Sequence, residues 1–473
     1  MDLFLDPTLR GGKTSALFEQ LRGGIVSGRL AAGDRLPPTR DIASQLGISR
    51  NTVTTVYGRL AAEGYIEGHA GAGSYVSAGI SAGTQRRLQP AALEPVATSA
   101  SSAVEWSLGG FDEHPPTFDL RTGRPDPAVF PLVEWRRCAT TAMQTAPGGY
   151  GHPAGLPALR RAIAHWIGLS RSVETTADQV IITAGAQQGI DLVTRLLVAP
   201  GQVVAVEDPG YPPAAGLFAA SGADVVAAPV DAEGIVVDRI PTEACMVYTT
   251  PSHQSPTGVT MSMARRRELL RFAEDHNVAI IEDDYDSEYR HSNRPLEPLH
   301  RLDVHGRVIY VGSFSKTLSP SLRLGFIVLP QSLVSHAINL RSLIDWQPPA
   351  TLQTTLLRFI VDGHLDRYLR RTRKIYSERH QIVTDFVQGA VDAGLLIAPN
   401  PSHAGLHITP LLPPGLDEAG VREGARAAGV ALGNLAQCWH RPEPPQGLII
   451  GFGAIPTSRL PTALTALQRV LAG

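Results

Sequence analysis

Apolar residues recur with two different periods along the chain, one helical and one strand-like. Over residues 14–30 they recur every three to four positions, which predicts an amphipathic helix. Two more short helices follow, and Thr39 and Ser49 are expected to be their N-caps. Residues 65–67 and 74–76 then predict two small strands around a glycine-rich turn. Together these elements predict a helix-turn-helix followed by a wing.

From Phe118 onward, continuous apolar runs typical of buried strands alternate with helical stretches. The clearest runs are residues 180–183, 203–206, 246–248, 278–281, 308–311 and 324–329. Further along, residues 365–399 and 416–430 predict helices and residues 447–453 predict a strand. The alternation predicts an α/β fold with a mostly parallel central sheet and a small C-terminal α+β domain over about residues 360–473.

Residues 79–116 separate these two patterns. Ser, Ala, Gly, Gln and Pro dominate this stretch and no period is visible, which predicts a flexible linker. The sequence therefore predicts three parts: a winged helix-turn-helix domain at residues 10–78, a linker at residues 79–116, and an α/β domain at residues 117–473.

Composition and charge narrow the class of protein. Among 473 residues, 43% are hydrophobic and 18% are charged, which fits globular domains rather than a disordered chain. The net charge of −2 gives no overall attraction for DNA, so any nucleic-acid contact has to come from a local face. Residues 1–78 carry eight basic and seven acidic side chains, which supports such a face only weakly.

The cysteines and the apolar runs indicate the compartment. The three cysteines are widely spaced and odd in number, which fits neither a disulfide framework nor a zinc site. The N-terminus lacks the order of a signal peptide, and no run approaches the roughly 20 apolar residues of a membrane span. We therefore expect a cytoplasmic protein without membrane contact.

The start of the third predicted helix carries polar side chains able to reach base edges in a DNA major groove. These side chains belong to Ser49, Arg50, Asn51, Thr52 and Thr54. We expect the DNA backbone phosphates to be contacted by Arg35, Arg40 and Arg59. Such contacts position the protein on DNA without reading its sequence. The alternative is a three-helix domain whose arginines are merely solvated.

Lys316 follows a small-residue turn between two of the apolar runs. Burial between strands would lower the pKa of its amine and make it nucleophilic. Ser313, Ser315 and Arg323 surround it with hydroxyl groups and a cation able to hold a phosphate. An amine that can form a Schiff base beside a phosphate site indicates pyridoxal phosphate (PLP). The alternative is a solvated loop lysine.

A second wall for the phosphate is predicted after the apolar run at residues 180–183. Gly185, Ala186 and Gln187 follow that run and open a predicted helix. Backbone N–H groups at a helix N-terminus are unpaired and lie at the positive end of the helix dipole, which suits a phosphate.

The run at residues 278–281 leads into an acidic sequence, residues 282–286. Carboxylates at strand ends lie where α/β sheets bind ligands, and a PLP ring needs one carboxylate against its pyridine nitrogen. A metal site and a solvated acidic loop are the alternatives, but the lysine further along favours PLP. His403 and His407 are interpreted as structural, so no metal site is expected.

Two stretches resemble known families. Residues 307–329 resemble the cofactor-lysine segment of fold-type I, class I aminotransferases, with Arg323 seven residues after Lys316 rather than eight. That shorter spacing is similar to the MocR family of bacterial regulators, in which an aminotransferase-like domain follows a DNA-binding domain. Residues 12–78 resemble the winged helix-turn-helix of the GntR superfamily, through Leu-Pro-Pro-Thr-Arg-Asp-Ile-Ala, Ser-Arg-Asn-Thr-Val and Leu-Ala-Ala-Glu-Gly-Tyr-Ile.

The resemblance to aminotransferases implies roles for single residues. Lys316 would carry PLP as a Schiff base, Asp283 would face the pyridine nitrogen with Tyr285 beside it, and Tyr211 would be the aromatic residue at the cofactor. Ser255 stands where aminotransferases have the asparagine that bonds the pyridine hydroxyl.

Three further roles follow from the two resemblances. Whether His253, Gln254 or Ser255 faces the cofactor ring stays open. Tyr150 would reach the phosphate of the partner subunit's cofactor. In the winged helix-turn-helix, the resemblance makes Arg40 and Arg50 the best DNA contacts, with His69 in the wing.

The last predicted strand, residues 447–453, lacks the arginine with which aminotransferases bind a substrate carboxylate, and Arg441 and Arg459 are only nearby in sequence. We therefore expect a PLP-dependent transcriptional regulator rather than an enzyme. The resemblance implies a homodimer on double-stranded DNA with two half-sites, whose affinity changes with an amine effector or with PLP itself. The missing arginine favours a PLP sensor that controls vitamin B6 synthesis or salvage. The alternatives are an active aminotransferase with an appended DNA-binding module, and a PLP-free DNA-binding scaffold.

Overall fold

The structure is a computed structural model, and it divides the chain into two compact units, Met1–Val96 and Ala97–Gly473. It describes residues 12–69, 73–78, 115–144, 148–291, 297–400, 404–442 and 444–473. The predicted linker, apart from residues 115 and 116, and His403 lie outside the described residues. Among the described residues, no helix is long and apolar enough to span a membrane.

The first unit contains three helices and a two-stranded antiparallel hairpin. Its elements are α1 (Gly12–Val26), α2 (Thr39–Leu46), α3 (Arg50–Ala62), β1 (Ile66–His69) and β2 (Gly73–Val76). One apolar core joins all five elements, through Leu17, Phe18, Leu21, Ile25, Ile42, Val53, Val56, Leu60, Ile66 and Val76. The predicted winged helix-turn-helix is confirmed.

The turn between α2 and α3 follows from local chemistry. Gly47 ends α2 in the left-handed conformation with φ of 60°, which glycine adopts without steric cost. Ser49 caps α3, and its hydroxyl accepts the backbone N–H of Thr52 at 3.1 Å. The prediction that Thr39 caps α2 is wrong, because Pro38 occupies the cap position and Thr39 is the first helical residue.

The second unit contains a large sheet with helices and a smaller C-terminal layer. Its helices are α4 (Leu132–Gln144), α5 (Pro157–Arg171), α6 (Ala186–Leu197), α7 (Pro212–Ala220), α8 (Met263–Asp275), α9 (Leu299–Leu302), α10 (Gln331–Ile344), α11 (Ala350–Val361), α12 (His364–Asp392), α13 (Glu418–Ala427) and α14 (Leu460–Ala472). Its strands are β3 (Phe118–Leu120), β4 (Val180–Thr183), β5 (Val203–Asp208), β6 (Asp224–Asp231), β7 (Gly234–Ile235), β8 (Met246–Thr249), β9 (Ala279–Asp284), β10 (Val308–Ser313), β11 (Gly325–Val328), β12 (His407–Ile408), β13 (Val430–Leu432) and β14 (Ile450–Gly451).

Eight strands form the central sheet in the order β4, β11, β10, β9, β8, β5, β6, β7. The five strands from β10 to β6 pair in parallel, whereas β11 is antiparallel to both of its neighbours and β7 is antiparallel to β6. The predicted α/β fold with a mostly parallel sheet is confirmed. Since parallel strands end at one edge, the loops after β5, β8, β9 and β10 converge there.

The C-terminal layer contains two short strand pairs. β3 pairs in parallel with β13, and β12 pairs antiparallel with β14. Of the strand predicted at residues 447–453, only Ile450–Gly451 forms a regular strand, while Gly447 and Ile449 form isolated bridges with Leu411 and Gly433. The helix predicted at residues 365–399 ends at Asp392, before Gly394 turns left-handed with φ of 72°.

A buried ion pair fixes α12 to the chain that follows β3. Arg379 donates to Asp126 at 2.6 Å and to the carbonyl of Gly453 at 2.9 Å. The two side chains of the ion pair are 3% and 4% exposed. Because almost no water reaches the pair, its stability depends on the hydrogen bonds and the charges of the two side chains and not on solvation.

Replacing Arg379 by Met is expected to lower the free energy of unfolding of the second unit by about 3–5 kcal/mol, because Asp126 would remain charged and buried without a cation. All five tryptophans lie in that unit, so denaturant unfolding followed by tryptophan fluorescence reports on it alone. The control is Arg426→Met, which removes an exposed partner of Glu423. Equal shifts in the two variants would contradict the prediction.

Candidate functional site

Lys316 lies in the loop between β10 and β11 and lines a large cavity at the carboxyl edge of the sheet. Protein encloses most of its side chain. This burial lowers the pKa of the amine, although Asp286 and Asp283 oppose the shift. Gly123 has φ of 77°, a conformation that favours glycine, and a Cβ atom there would lie 2.9 Å from the Lys316 Nζ, so the chain passes close to the amine.

Asp283 is the penultimate residue of β9, where it pairs with Val311 of β10. Its Oδ2 accepts the hydroxyl of Tyr248 at 2.7 Å, while Oδ1 is buried without a hydrogen-bond partner in the described part of the chain. Burial raises the pKa of this carboxyl to about 7. A buried oxygen without a donor, on a wall of the cavity, fits the protonated pyridine nitrogen of PLP.

The other carboxylates of the acidic run have different partners. Glu282 accepts the backbone N–H of Leu299 at 2.9 Å and of His300 at 2.8 Å. Asp284 binds Arg171 at 2.8 Å. All of them are buried, which argues against a solvated acidic loop.

The residues predicted to bind a phosphate lie close together where β4 pairs with β11. Gly185 caps α6 with φ of 83°, and its neighbours Ala186 and Gln187 line the cavity. A Cβ atom on Gly185 would lie 2.8 Å from an Arg323 nitrogen, so glycine admits the guanidinium. Ser313 and Ser315 line the same cavity. A cation, two hydroxyls and a helix N-terminus therefore converge as a phosphate requires.

The loops after β5, β8 and β9 supply the groups expected around a ring. Tyr211 is the N-cap residue of α7 and lines the cavity, and burial raises the pKa of its phenol. Tyr285 and Ser255 also line the cavity. Gln254 instead donates to Glu207 at 3.1 Å behind the wall. Of the three residues left open by the sequence, Ser255 is therefore the one placed to face a ring.

The sequence did not reveal a buried cluster of His253, Asp286 and His407 beneath this wall. The His253 Nδ1 lies 3.1 Å from both Asp286 oxygens and 3.0 Å from the Tyr285 hydroxyl. The two imidazole rings are 4.8 Å apart, and burial lowers the pKa of His407 to about 4. Because His407 belongs to β12, this cluster joins Tyr285 to the C-terminal layer. The sequence signals for this cluster were His253, two residues before Ser255, and His407, which the sequence analysis interpreted as structural.

Some expected residues are not part of this cavity. Tyr150 is 84% exposed, with its ring 5.0 Å from that of Trp346, so its role at a partner subunit's cofactor stays a prediction. Arg441 lies 3.4 Å from Asp208, and Arg459 donates to a backbone carbonyl at 3.0 Å. Neither arginine is among the described residues that line the cavity.

In the first unit, the start of α3 presents the predicted base-reading side chains. Arg50, Asn51 and Thr54 are exposed, as is the cap Ser49, while Thr52 is half-buried.

The arginines expected to contact DNA phosphates differ in their exposure and their partners. Arg40 is 79% exposed and binds its neighbour Asp41 at 3.2 Å, and Arg35 lies beside Gly73 of the wing hairpin. His69, at the end of β1, is exposed and forms an edge contact with Tyr75. Arg59 instead binds Glu63 at 2.8 Å and lies over the ring of Phe18. These contacts hold Arg59 on its own domain.

Comparisons with known proteins match both units. The family model for class I and II aminotransferases matches residues 119–411, and the model for bacterial regulatory proteins of the gntR family matches residues 13–76. The probable rhizopine catabolism regulatory protein MocR of Rhizobium meliloti is 35% identical over 96% of this chain and 92% of its own. The pyridoxine biosynthesis transcriptional regulator PdxR of Corynebacterium glutamicum is 31% identical over 93% and 91%.

A solved structure agrees with these matches. An archaeal alanine:glyoxylate aminotransferase superposes with a TM-score of 0.70 at 27% identity, over 75% of this chain and 90% of that chain. The expected fold, a winged helix-turn-helix joined to a fold-type I aminotransferase-like domain, is confirmed. PLP is the cofactor of this fold family, and the cavity groups fit it.

Replacing Asp283 by Asn is expected to stabilise the PLP-free protein at pH 8 and to have less effect at pH 5.5. The folded carboxyl keeps its proton up to about pH 7, whereas in the unfolded chain it ionises near about pH 4. The stability contributed by the raised pKa is therefore lost as pH rises through about 7. Thermal unfolding at the two pH values measures the difference. The exposed Asp238→Asn is the control. A stability difference between Asp283→Asn and wild type that is the same at both pH values would refute the assignment.

For the winged helix-turn-helix, Arg40→Ala is expected to weaken DNA binding uniformly and to reduce the slope of log K against log salt by about 1. Arg50→Ala should cost about 1–3 kcal/mol on a specific site and relax its sequence preference. Salt titrations by fluorescence anisotropy measure both effects. Arg59→Ala is the matched control, since Glu63 and Phe18 hold that guanidinium. A changed salt slope for Arg59→Ala would count against this placement.

Proposed function

The chain is a MocR-type regulator of the GntR superfamily, with a winged helix-turn-helix fused to an aminotransferase-like domain, and we propose that the occupant of its Lys316 cavity controls how it binds DNA. The observation that supports this most is the convergence of Lys316, Asp283 and Arg323 on one cavity. The same chain presents an exposed recognition helix, α3. A ligand site and a DNA-reading element in one polypeptide are what a ligand-controlled regulator needs.

Different residues of the cavity would bind different parts of PLP. Lys316 would provide the covalent attachment, and Asp283 would hold a proton on the ring nitrogen through its unpartnered Oδ1. Gly185 and Arg323, with Ala186, Ser313 and Ser315, would bind the phosphate. Tyr211 and Tyr285 would position the ring, with Ser255 at its hydroxyl. When bound, PLP supplies an electrophilic carbon that reacts with primary amines.

The proposed assembly is a homodimer in the cytoplasm that reads two DNA half-sites. Exposed apolar side chains near the end of α10 support a second copy there: Leu343 is 85% exposed, and Trp346, whose ring lies 5.0 Å from that of Tyr150, is 47% exposed. A two-fold dimer would present two copies of α3 to a symmetric operator. Tyr150 of each chain would then reach its partner's cavity.

The regulatory signal would be PLP itself or an amine that reacts with it. The relative PdxR, named for pyridoxine biosynthesis, supports control of vitamin B6 supply. Ordinary transamination is not favoured, because the cavity wall from the last strand region is the apolar Ile449 rather than an arginine. Sustained turnover of an amino acid with an α-keto acid would contradict this view.

The test is a titration of the DNA upstream of the protein's own gene, with and without PLP. PLP is expected to change the affinity of wild type but not of Lys316→Ala. The exposed Lys374→Ala is the matched control and should respond as wild type does. Borohydride reduction followed by peptide mass spectrometry should place the adduct on Lys316. An identical response of wild type and Lys316→Ala would remove PLP from the mechanism.

A further inference from the structure

His253 lies behind the wall of the Lys316 cavity, where its imidazole contacts Tyr285. It belongs to the loop after β8, whereas Tyr285 and Asp286 follow β9. The side chain of His253 is 1% exposed and that of Asp286 is 3% exposed. Tyr285 lines the cavity, but His253 is not among the described residues that do. His253 therefore acts on an occupant of the cavity only through its neighbours.

The imidazole of His253 is enclosed on two sides by the C-terminal layer. Gly405 has φ of 82°, and a Cβ atom there would lie 1.9 Å from the His253 Cε1 and 2.7 Å from an Asp286 oxygen. The ring of His407 lies 4.8 Å from that of His253, and the His407 Nε2 donates to the carbonyl of Pro256 at 2.9 Å. The packed surroundings leave the His253 ring little freedom to turn.

The contacts of the His253 Nδ1 determine where its proton lies. This nitrogen is 3.1 Å from both carboxylate oxygens of Asp286. An ionised carboxylate only accepts hydrogen bonds, so Nδ1 has to carry a proton and donate it. The same Nδ1 lies 3.0 Å from the hydroxyl oxygen of Tyr285. That oxygen is therefore the acceptor in this contact, and the hydroxyl proton of Tyr285 points elsewhere.

The phenol of Tyr285 keeps its own proton. Burial raises its pKa, and the charges of Asp286 and Asp283 raise it further. The hydroxyl is thus a hydrogen-bond donor, and because Tyr285 lines the cavity, it can donate to an occupant. In the proposed function the occupant is PLP, whose ring oxygen is a suitable acceptor.

We propose that His253 is a positioning residue for PLP: held by Asp286, it turns the hydroxyl proton of Tyr285 towards the ring oxygen of the cofactor. His253 itself does not touch PLP. The affinity for PLP and the stability of the anionic ring oxygen then both depend on a histidine behind the cavity wall. The inference rests on the proposed function and adds a residue that its cofactor site requires.

Charged and titratable side chains face His253 and Tyr285 from several elements. They are Glu207 on β5, Asp283 on β9, Asp286 after β9, Lys316 after β10 and His407 on β12. Replacing His253 leaves all of these side chains in place. An effect on PLP that disappears together with the Tyr285 hydroxyl is therefore transmitted through that hydroxyl and not through the surrounding charges.

The test is a double-mutant cycle on the full-length protein with PLP: wild type, His253→Phe, Tyr285→Phe and the double variant. His253→Phe keeps a ring in the enclosed space and removes the N–H donor. Fluorescence titration gives the dissociation constant of PLP. Visible absorption between pH 5 and 10 gives the pH at which the band of bound PLP changes.

Each single variant is expected to bind PLP about 3- to 10-fold more weakly, as the loss of one hydrogen bond predicts. The pH at which the band changes should rise by about one unit, because the anionic ring oxygen loses a donor. The double variant should match Tyr285→Phe in both measurements. Additive effects in the double variant would overturn the assignment.

A rescue and a matched control separate positioning from packing. His253→Asn should restore part of the affinity and of the wild-type band, because the Asn Nδ2 is as many bonds from the backbone as Nδ1 and carries N–H donors. His364→Phe is the control, since His364 is also buried, stacks on Phe359 and is not among the described residues that line the cavity. A loss in His364→Phe equal to that in His253→Phe would count against positioning. If His253→Phe does not fold, the smaller His253→Leu replaces it in the cycle.

The outcome is separable from that of the proposed function. If DNA affinity responds to PLP through Lys316 but His253→Phe binds PLP as wild type does, His253 has no positioning role and the proposed function stands. If wild type takes up no PLP, the proposed function fails and this inference falls with it.

Discussion

The desolvation of two opposite charges at one edge of the sheet is the constraint on which the rest of the site depends. Asp283 holds one buried carboxylate oxygen without a donor among the described residues, and burial lowers the pKa of the Lys316 amine nearby. An unsatisfied buried group of this kind costs about 1–3 kcal/mol. A ligand that offers a cationic nitrogen to Asp283 and a carbonyl carbon to Lys316 recovers this cost. Ligand binding and stability of this domain are therefore coupled.

The strand order explains why these groups meet. β11 runs antiparallel between β10 and β4, so the loop that carries Lys316 returns beside the start of α6. The return brings Arg323 against Gly185, and Gly325 packs directly on the backbone of Gly185. A parallel crossover at this position would have separated the lysine from the phosphate wall. One antiparallel strand in a mostly parallel sheet thus assembles the cavity.

The sequence predicted the features that depend on neighbouring residues. Gly47 and Ser49 shape their turn through their own conformation and hydroxyl, and Lys316 and Asp283 follow strands that are recognisable as apolar runs. The cluster of His253, Asp286 and His407 was not predicted. Its members come from three separate parts of the chain, so no local period or spacing reveals it. Resemblance to a family pointed to the arginine that is missing from the last strand region.

Recognition of an effector by this cavity involves two layers of one domain. The phosphate wall and Asp283 belong to the central sheet, whereas His407 of the C-terminal layer contacts His253, which in turn lies 3.0 Å from the Tyr285 hydroxyl. An occupant that touches only the sheet makes the same contacts whichever arrangement the C-terminal layer adopts. A ligand shifts an equilibrium only by its difference in affinity for the two states. Because Asp283 and His407 line the same cavity, an occupant that contacts both of them touches both layers and can favour one arrangement of them over another.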